Sequence, residues 1–197
     1  MLLQGVMSFT LFFLAFMAFM IFQRLYQAFR KRDIEKGDVK EGWTFTALFI
    51  SHSILVIATL AEYFFFTSRI NYLVSFGGLF IYSSGLILRD CSIKALGRFH
   101  SLQIEIRKNH SLIKDGPYRV VRNPYYLSAI LEILGFPLVA NAYYTFCLGI
   151  VLYLPLMAIR IYFEEKELLN KFGREYMDYK NQVSAFLPGR KLKSKHY

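Results

Sequence analysis

The sequence predicts an all-α, polytopic membrane protein with about five transmembrane helices and a C-terminal amphipathic helix. Of the 197 residues, 55% are apolar and only 19% are charged. Soluble domains have an apolar share of about 45–50% and about a quarter of their residues charged. The apolar residues also form long blocks, several of which reach or approach the roughly 20 residues that a helix needs to cross the hydrocarbon core.

The basic residues indicate membrane topology rather than nucleic-acid binding. The formal net charge is +10, and all Lys and Arg residues except Arg69 and Arg160 lie in three stretches, 24–40, 89–122 and 166–195. If the loops alternate sides, the three stretches share one side, as the positive-inside rule requires. We therefore expect this side to be cytosolic and the N-terminus to lie outside.

Three spans are predicted in the N-terminal part, residues 1–88. They cover about residues 2–22, 43–66 and 71–88. A polar, mixed-charge loop separates the first two, whereas only TSRI separates the second from the third. Ser75, Gly78 and Gly85 recur at helical spacing on the third span, which would allow another helix to approach closely.

The second part, residues 89–197, combines a polar loop with two more spans in one integrated domain. The loop of residues 89–123 is too long for a simple connector, and its interleaved apolar residues argue against disorder. A short fourth span is expected at about 125–140 and a fifth at about 143–163. One amphipathic helix is then predicted from the spacing of apolar and aromatic residues at Leu168, Leu169, Phe172, Tyr176 and Tyr179.

Ionisable residues inside the spans are the first candidates for function, because a charge in the bilayer is costly. The pattern favours structural roles for Glu62, near a helix end, and for His52, which can be neutral. Glu132 lies deep enough to need a partner and is equally consistent with a structural or a functional role.

Arg160 and Glu164 are the strongest local pair. They are four residues apart and so share a helix face where the fifth span meets the basic side. Such a pair could hold an anionic and an ammonium group together, but the spacing alone favours an interfacial ion pair with a solvated neighbour. No clustered metal ligands are found, and Cys91 and Cys147 suggest neither a disulfide nor a zinc site.

A resemblance to a known family rests on five motifs in a familiar order. These are His110-Ser-Leu-Ile, GPYRVVRNPYY at 116–126, Arg160 with Glu164-Glu165, FGREYMDY, and Pro188. Their order and spacing resemble the isoprenylcysteine carboxyl methyltransferase family of integral membrane methyltransferases. The resemblance covers roughly residues 96–188.

The resemblance implies an S-adenosylmethionine pocket beside the membrane and a lipophilic acceptor that enters from the bilayer. It implies that Glu164 holds the cofactor's ammonium group and that Arg160, the catalytic residue, faces the acceptor. The remaining implied cofactor-binding residues are Gln103, His110, Ser111, Leu112, Ile113, Tyr118, Asn123, Pro124, Tyr125 and Tyr126. One departure from the family is that its Arg-His-Pro is here Arg122-Asn123-Pro124, and Asn cannot carry a proton at neutral pH.

The expected reaction is carboxyl O-methylation of a prenylcysteine-like or other lipophilic acceptor. A carboxylate is already ionised at pH 7, so alignment and desolvation should carry the rate without a strong base. The alternatives are a phospholipid or amphiphilic small-molecule methyltransferase, and a non-catalytic membrane scaffold. The host membrane would be the plasma membrane of a prokaryote or the endoplasmic reticulum of a eukaryote, with membrane lipids and no nucleic acid as partners.

Overall fold

The structure, a computed structural model, describes residues 2–29, 38–67, 69–101, 104–106 and 111–187, and their side chains within 7–26, 41–67, 69–101 and 111–187. It confirms the all-α class, with one small two-stranded ribbon in addition. The helices are α1 (Leu2–Phe29), α2 (Gly42–Phe65), α3 (Tyr72–Leu96), α4 (Pro124–Val139), α5 (Tyr143–Leu148), α6 (Leu154–Phe172) and α7 (Arg174–Gln182). The strands are β1 (Asp38–Lys40) and β2 (Ile104–Ile106).

Two N-terminal helices extend beyond their predicted ends. Helix α1 continues past residue 22 to Phe29, and α3 continues past residue 88 to Leu96. Helix α3 does not end at Arg89, because the Glu132 carboxylate neutralises this charge inside the bundle. The helix ends where Gly97 takes a positive φ of 52°, a conformation that glycine adopts without steric cost.

Within the described residues, four helices are long and apolar enough to cross a membrane: Met7–Tyr26, Gly42–Phe65, Tyr72–Phe99 and Tyr143–Phe172. The predicted count of five also includes α4, which has 16 residues. Its length of about 24 Å is below the roughly 30 Å of the hydrocarbon core. Most of its residues are buried against other helices, so α4 lies inside the bundle rather than facing lipid.

The last membrane helix is longer than predicted and contains an irregular turn. Helices α5 and α6 are joined by a π-helix, Gly149–Tyr153, into one continuous rod. The rod absorbs the first half of the predicted amphipathic helix and ends at Gly173, whose φ is 53°. The second half is the separate helix α7, so the predicted single helix is two pieces.

The closest packing in the bundle is between α3 and α4. A Cβ atom added to Gly78 would lie 2.6 Å from the backbone nitrogen of Val139, and one added to Gly135 would lie 2.6 Å from that of Tyr82. Gly85 meets the Glu132 side chain and the Ser128 carbonyl in the same way. Gly78 and Gly85, two of the three small residues predicted to permit a close approach on α3, therefore contact α4.

At one end of the bundle, Glu62 has a structural role, as predicted. Its carboxylate accepts the backbone N–H groups of Tyr144 at 2.9 Å and Thr145 at 2.7 Å, and the Thr145 hydroxyl at 2.8 Å. These are unpaired donors of the first turn of α5. The carboxylate thus caps the last membrane helix and joins it to α2.

Glu132 has the partners that its depth requires. Its two carboxylate oxygens lie 2.5 Å from the Arg24 Nη2 atom of α1 and 2.5 Å from the Arg89 Nε atom of α3. Only 1% of the Glu132 side chain is exposed. One buried carboxylate therefore ties three helices together.

The described parts of the three basic stretches meet at one end of the bundle, as predicted. Strands β1 and β2 pair antiparallel, with Asp38 opposite Ile106, and so join the first stretch to the second. An ion pair of 2.8 Å between Arg122 and Glu165 joins the second stretch to the end of α6.

Candidate active site

At this basic end, one phenol lies between the two residues that the sequence singles out. The Tyr126 hydroxyl donates a hydrogen bond to Glu164 and accepts one from the Arg160 Nε atom at 3.1 Å. Tyr126 lies in the first turn of α4, whereas Arg160 and Glu164 lie one helical turn apart on α6. Arg160 is 5% exposed. The Tyr126 phenol thus bridges a guanidinium and a carboxylate that lie one turn apart on the same helix.

The guanidinium of Arg160 is also held from the N-terminal part of the chain. Its Nη1 atom donates to the Thr44 hydroxyl of α2 at 3.0 Å. This contact joins residues 116 positions apart in the sequence. Both α2 and α4 therefore fix the orientation of Arg160.

Tyr118 lies next to this group, in the short 3-10 helix Gly116–Arg119 that precedes α4. Burial raises the pKa of Tyr118 well above its usual value, and the nearby Glu164 carboxylate raises it further. The phenol therefore stays protonated at physiological pH. Its backbone carbonyl accepts the Tyr179 hydroxyl at 2.6 Å, and burial raises the pKa of Tyr179 to about 12.

Glu165 organises the loop in front of α4. One of its oxygens accepts the Arg122 Nε atom at 2.8 Å and the Asn123 amide nitrogen at 3.1 Å, and the other accepts the Lys180 ammonium at 2.7 Å. Arg122 also donates to the Val183 carbonyl at 2.7 Å. The Asn123 amide is thus directed at a carboxylate that holds the loop.

The segment after α7 completes this support. The backbone N–H groups of Arg122 and Asn123 donate to the carbonyls of Ser184 at 2.8 Å and Ala185 at 3.1 Å. Phe186 packs against the apolar cluster that includes Tyr126. After the FGREYMDY region, the chain therefore returns to the N-terminal end of α4 and pairs with it.

Tyr125 links the site to the bundle interior. The Arg89 guanidinium lies 5.3 Å from the centre of the Tyr125 ring, within the range of a cation–π contact. The His100 ring meets the same ring edge-on at 5.3 Å. The preceding Pro124, at the first position of α4, is fully buried. Proline is favoured there because that N–H has no helical partner.

The structure brings together Arg160, Glu164, Tyr126, Tyr118 and, through the loop, Asn123, Pro124 and Tyr125. Of the other predicted pocket residues, Ser111 is exposed, and Leu112 and Ile113 are half-buried in the chain before the 3-10 turn. Gln103 and His110 lie outside the described residues. The sequence did not predict the contact of Thr44, because no motif surrounds that residue. It also did not predict the role of Glu165, although the segment GREYMDYK contains Lys180, with which Glu165 pairs.

Comparison with known proteins adds a family and a fold. Residues 78–170 match the sequence model of the "Isoprenylcysteine carboxyl methyltransferase (ICMT) family". A rice protein (Oryza sativa subsp. indica) named probable protein-S-isoprenylcysteine O-methyltransferase is 31% identical over 137 residues, which are 68% of this chain and 67% of that protein. The Bacillus subtilis (strain 168) protein YpbQ is 37% identical over 82 residues, 42% of this chain and 49% of YpbQ.

A solved structure shares the fold. A eukaryotic intramembrane Ras methyltransferase, ICMT, superposes with a TM-score of 0.62 and 26% sequence identity. The match covers 73% of this chain and 52% of that chain. The chain thus spans about half the length of YpbQ and of the solved methyltransferase, and about two thirds of the rice protein.

Proposed function

Because this chain belongs to the isoprenylcysteine carboxyl methyltransferase family of integral membrane proteins, we propose that it transfers a methyl group from S-adenosylmethionine to a lipophilic carboxylate. The acceptor is a prenylcysteine or a similar oily acid that enters from the bilayer. The observation that carries this proposal is the Arg160–Tyr126–Glu164 arrangement at the basic end of the bundle.

The residues at this end fit the cofactor. Its amino-acid end carries an ammonium group, for which the half-buried Glu164 carboxylate is a matched partner. Because the pKa of Tyr118 is raised, its phenol adds a hydroxyl and no second negative charge. Leu112 and Ile113, on the same loop, offer half-buried apolar surface to an adenine ring. The amide of Asn123 supports the loop through Glu165.

Arg160 orients the acceptor. A carboxylate that leaves water loses hydration, and a buried guanidinium offsets part of this cost with charge-assisted hydrogen bonds. The Tyr126 hydroxyl and Thr44 hold the guanidinium, so little reorganisation is needed when the acceptor arrives.

The reaction needs alignment more than acid-base chemistry. When bound, S-adenosylmethionine supplies the methyl group as an electrophile on a positively charged sulfur. An acceptor oxygen forms the new C–O bond as the methyl–sulfur bond breaks, which yields a methyl ester and S-adenosylhomocysteine. No proton has to move, because the acceptor is ionised at neutral pH. The site faces the cytosol, where the donor is present, and the positive-inside pattern supports this orientation.

The test is methyl transfer by the full chain in proteoliposomes. The donor is tritiated S-adenosylmethionine, the acceptor is N-acetyl-S-farnesylcysteine, and cofactor affinity is measured by calorimetric titration with S-adenosylhomocysteine. We expect base-labile methyl ester from the wild type. Arg160→Ala should lose at least about a hundredfold in transfer with little change in cofactor affinity, because it acts on the acceptor. Glu164→Gln should weaken cofactor binding about tenfold.

Other outcomes would contradict the proposal. If the tritium appeared in phospholipid rather than in the prenylcysteine, the acceptor would be a phospholipid and not a lipophilic carboxylate. Absence of saturable heat with S-adenosylhomocysteine would indicate a non-catalytic scaffold. Equal loss of cofactor affinity in Arg160→Ala and Glu164→Gln would refute the assignment of the two side chains to different substrates.

A further inference from the structure

We propose that Thr44 is a positioning residue for Arg160, so that the N-terminal part of the chain helps to orient the methyl acceptor. The inference rests on the proposed function, since it assigns Arg160 to the acceptor. It adds a residue of α2 that lies outside the matched region 78–170 and outside every motif of the sequence.

The direction of the hydrogen bonds at Thr44 is determined by its surroundings. The Thr44 hydroxyl donates its hydrogen to the Glu41 carbonyl at 2.8 Å. Its oxygen therefore has lone pairs available for the Arg160 Nη1 atom, which lies 3.0 Å away and can only donate. The hydroxyl thus bridges the start of α2 and the guanidinium.

Thr44 is buried, and both its hydroxyl and its backbone N–H are hydrogen-bonded at the start of α2. Only 2% of it is exposed, and its own backbone N–H also donates to the Glu41 carbonyl, at 3.0 Å. Glu41 has a positive φ of 48°, and its carboxylate accepts the Trp43 indole N–H at 2.8 Å. These contacts fix the first turn of α2, and Thr44 with it.

Two contacts from two different helices restrict the guanidinium more than either alone. Tyr126 holds the Nε atom from α4, and Thr44 holds the Nη1 atom from α2. Because the guanidinium is planar, holding two of its nitrogens sets both its plane and its rotation about the side-chain axis. A carboxylate acceptor is sensitive to this geometry, since transfer falls steeply when the reacting atoms are misplaced by about 1 Å.

The test compares Thr44→Val, which keeps the shape but removes the hydroxyl, with Thr44→Ser, which keeps the hydroxyl. Both are assayed as the full chain in proteoliposomes with N-acetyl-S-farnesylcysteine. We expect Thr44→Val to lower kcat/KM for the acceptor by about 10- to 100-fold, as for a lost hydrogen bond to a charged group. Affinity for S-adenosylhomocysteine should change less than about twofold. Thr44→Ser should recover most of the activity.

Thr59→Val is the matched control. Thr59 is a fully buried threonine of the same helix, and its hydroxyl donates to the Leu55 carbonyl of its own helix at 2.8 Å. We expect this variant to keep the wild-type kcat/KM. A double-mutant cycle introduces Thr44→Val into the Arg160→Lys variant. If Thr44 acts through Arg160, Thr44→Val should lower kcat/KM little further in that background.

The outcomes separate this inference from the proposed function. If the wild type forms methyl ester and Thr44→Val matches it, the inference is wrong while the proposed function stands. Equal losses in Thr44→Val and Thr59→Val, or an effect of Thr44→Val that is unchanged in Arg160→Lys, would also overturn the inference. A wild type that forms no ester refutes the proposed function first.

Discussion

At the scale of single residues, Glu132 joins three helices although it lies in none of the sequence motifs. Its buried carboxylate contacts Arg24 and Arg89, so neutralising it would leave two arginines without their anion. Removing one partner of a buried ion pair costs about 3–5 kcal/mol, because the remaining charge stays desolvated. We expect Glu132→Gln to lower the thermal unfolding midpoint of the detergent-solubilised protein by several degrees, measured by circular dichroism.

A surface ion pair supplies the control for Glu132. Lys114 and Glu175 are 2.7 Å apart with exposed side chains. Such pairs contribute about 0–1 kcal/mol. Glu175→Gln should therefore leave the unfolding midpoint within about one degree of the wild type. If Glu132→Gln behaved in the same way, the buried carboxylate could not be what ties α1 and α3 to α4.

The sequence predicts single residues well where their partners are near in the chain. The spacing of Arg160 and Glu164 places them on one face, and the structure agrees. The hydroxyl groups that hold Arg160 come from Tyr126 and Thr44, which lie 34 and 116 positions away. Helical periodicity carries no information about such contacts, because they depend on how separate helices pack.

At the scale of elements, the crossing of α3 and α4 positions the site. A Cβ atom at Gly135 would lie 2.6 Å from the Tyr82 nitrogen and 2.8 Å from the Gly78 carbonyl. Both contacts are backbone atoms that cannot turn aside. We expect Gly135→Ala to destabilise the protein by about 1–3 kcal/mol, as overpacking does, and to lower methyl transfer because α4 carries Tyr126. The measurements are the unfolding midpoint and the transfer rate.

Gly77 provides the comparison on the neighbouring face of α3. An added Cβ there would meet nothing within 4 Å. Alanine is a better helix former than glycine by about 1 kcal/mol, so Gly77→Ala should be neutral or slightly stabilising. A loss of stability in Gly77→Ala as large as in Gly135→Ala would mean that the effect comes from the substitution itself and not from the crossing.

Element boundaries are less predictable than element types. A charged residue near the end of an apolar run suggests that the span has ended, which is why the third span was predicted to stop at residue 88. Helix α3 continues because Arg89 finds Glu132 on another helix. The split between α6 and α7 depends likewise on a single glycine, Gly173, whose positive φ interrupts a continuous amphipathic pattern.

At the scale of the whole molecule, buried side-chain contacts join the N-terminal and C-terminal parts. Arg24 of α1 reaches Glu132 of α4, and Thr44 of α2 reaches Arg160 of α6. Glu62 of α2 caps α5 at the other end. The C-terminal part carries the recognisable motifs, and α2 contacts one of their side chains, Arg160, through Thr44.

This integration requires the polar loop before α4 and the segment around α7 to lie on one side of the membrane. Exposed positions allow a direct test in a background with Cys91 and Cys147 changed to serine. Asp115 marks the loop, Asn181 marks α7 and Arg69 marks the opposite end. With a membrane-impermeant maleimide on intact cells, we expect Arg69→Cys to react at once, because the positive-inside pattern predicts that this position lies outside. Asp115→Cys and Asn181→Cys should react only after permeabilisation. If these two variants were labelled from opposite sides of the membrane, Glu165 could not contact both Arg122 of the loop and Lys180 of α7. The site, which depends on these contacts, could then not form.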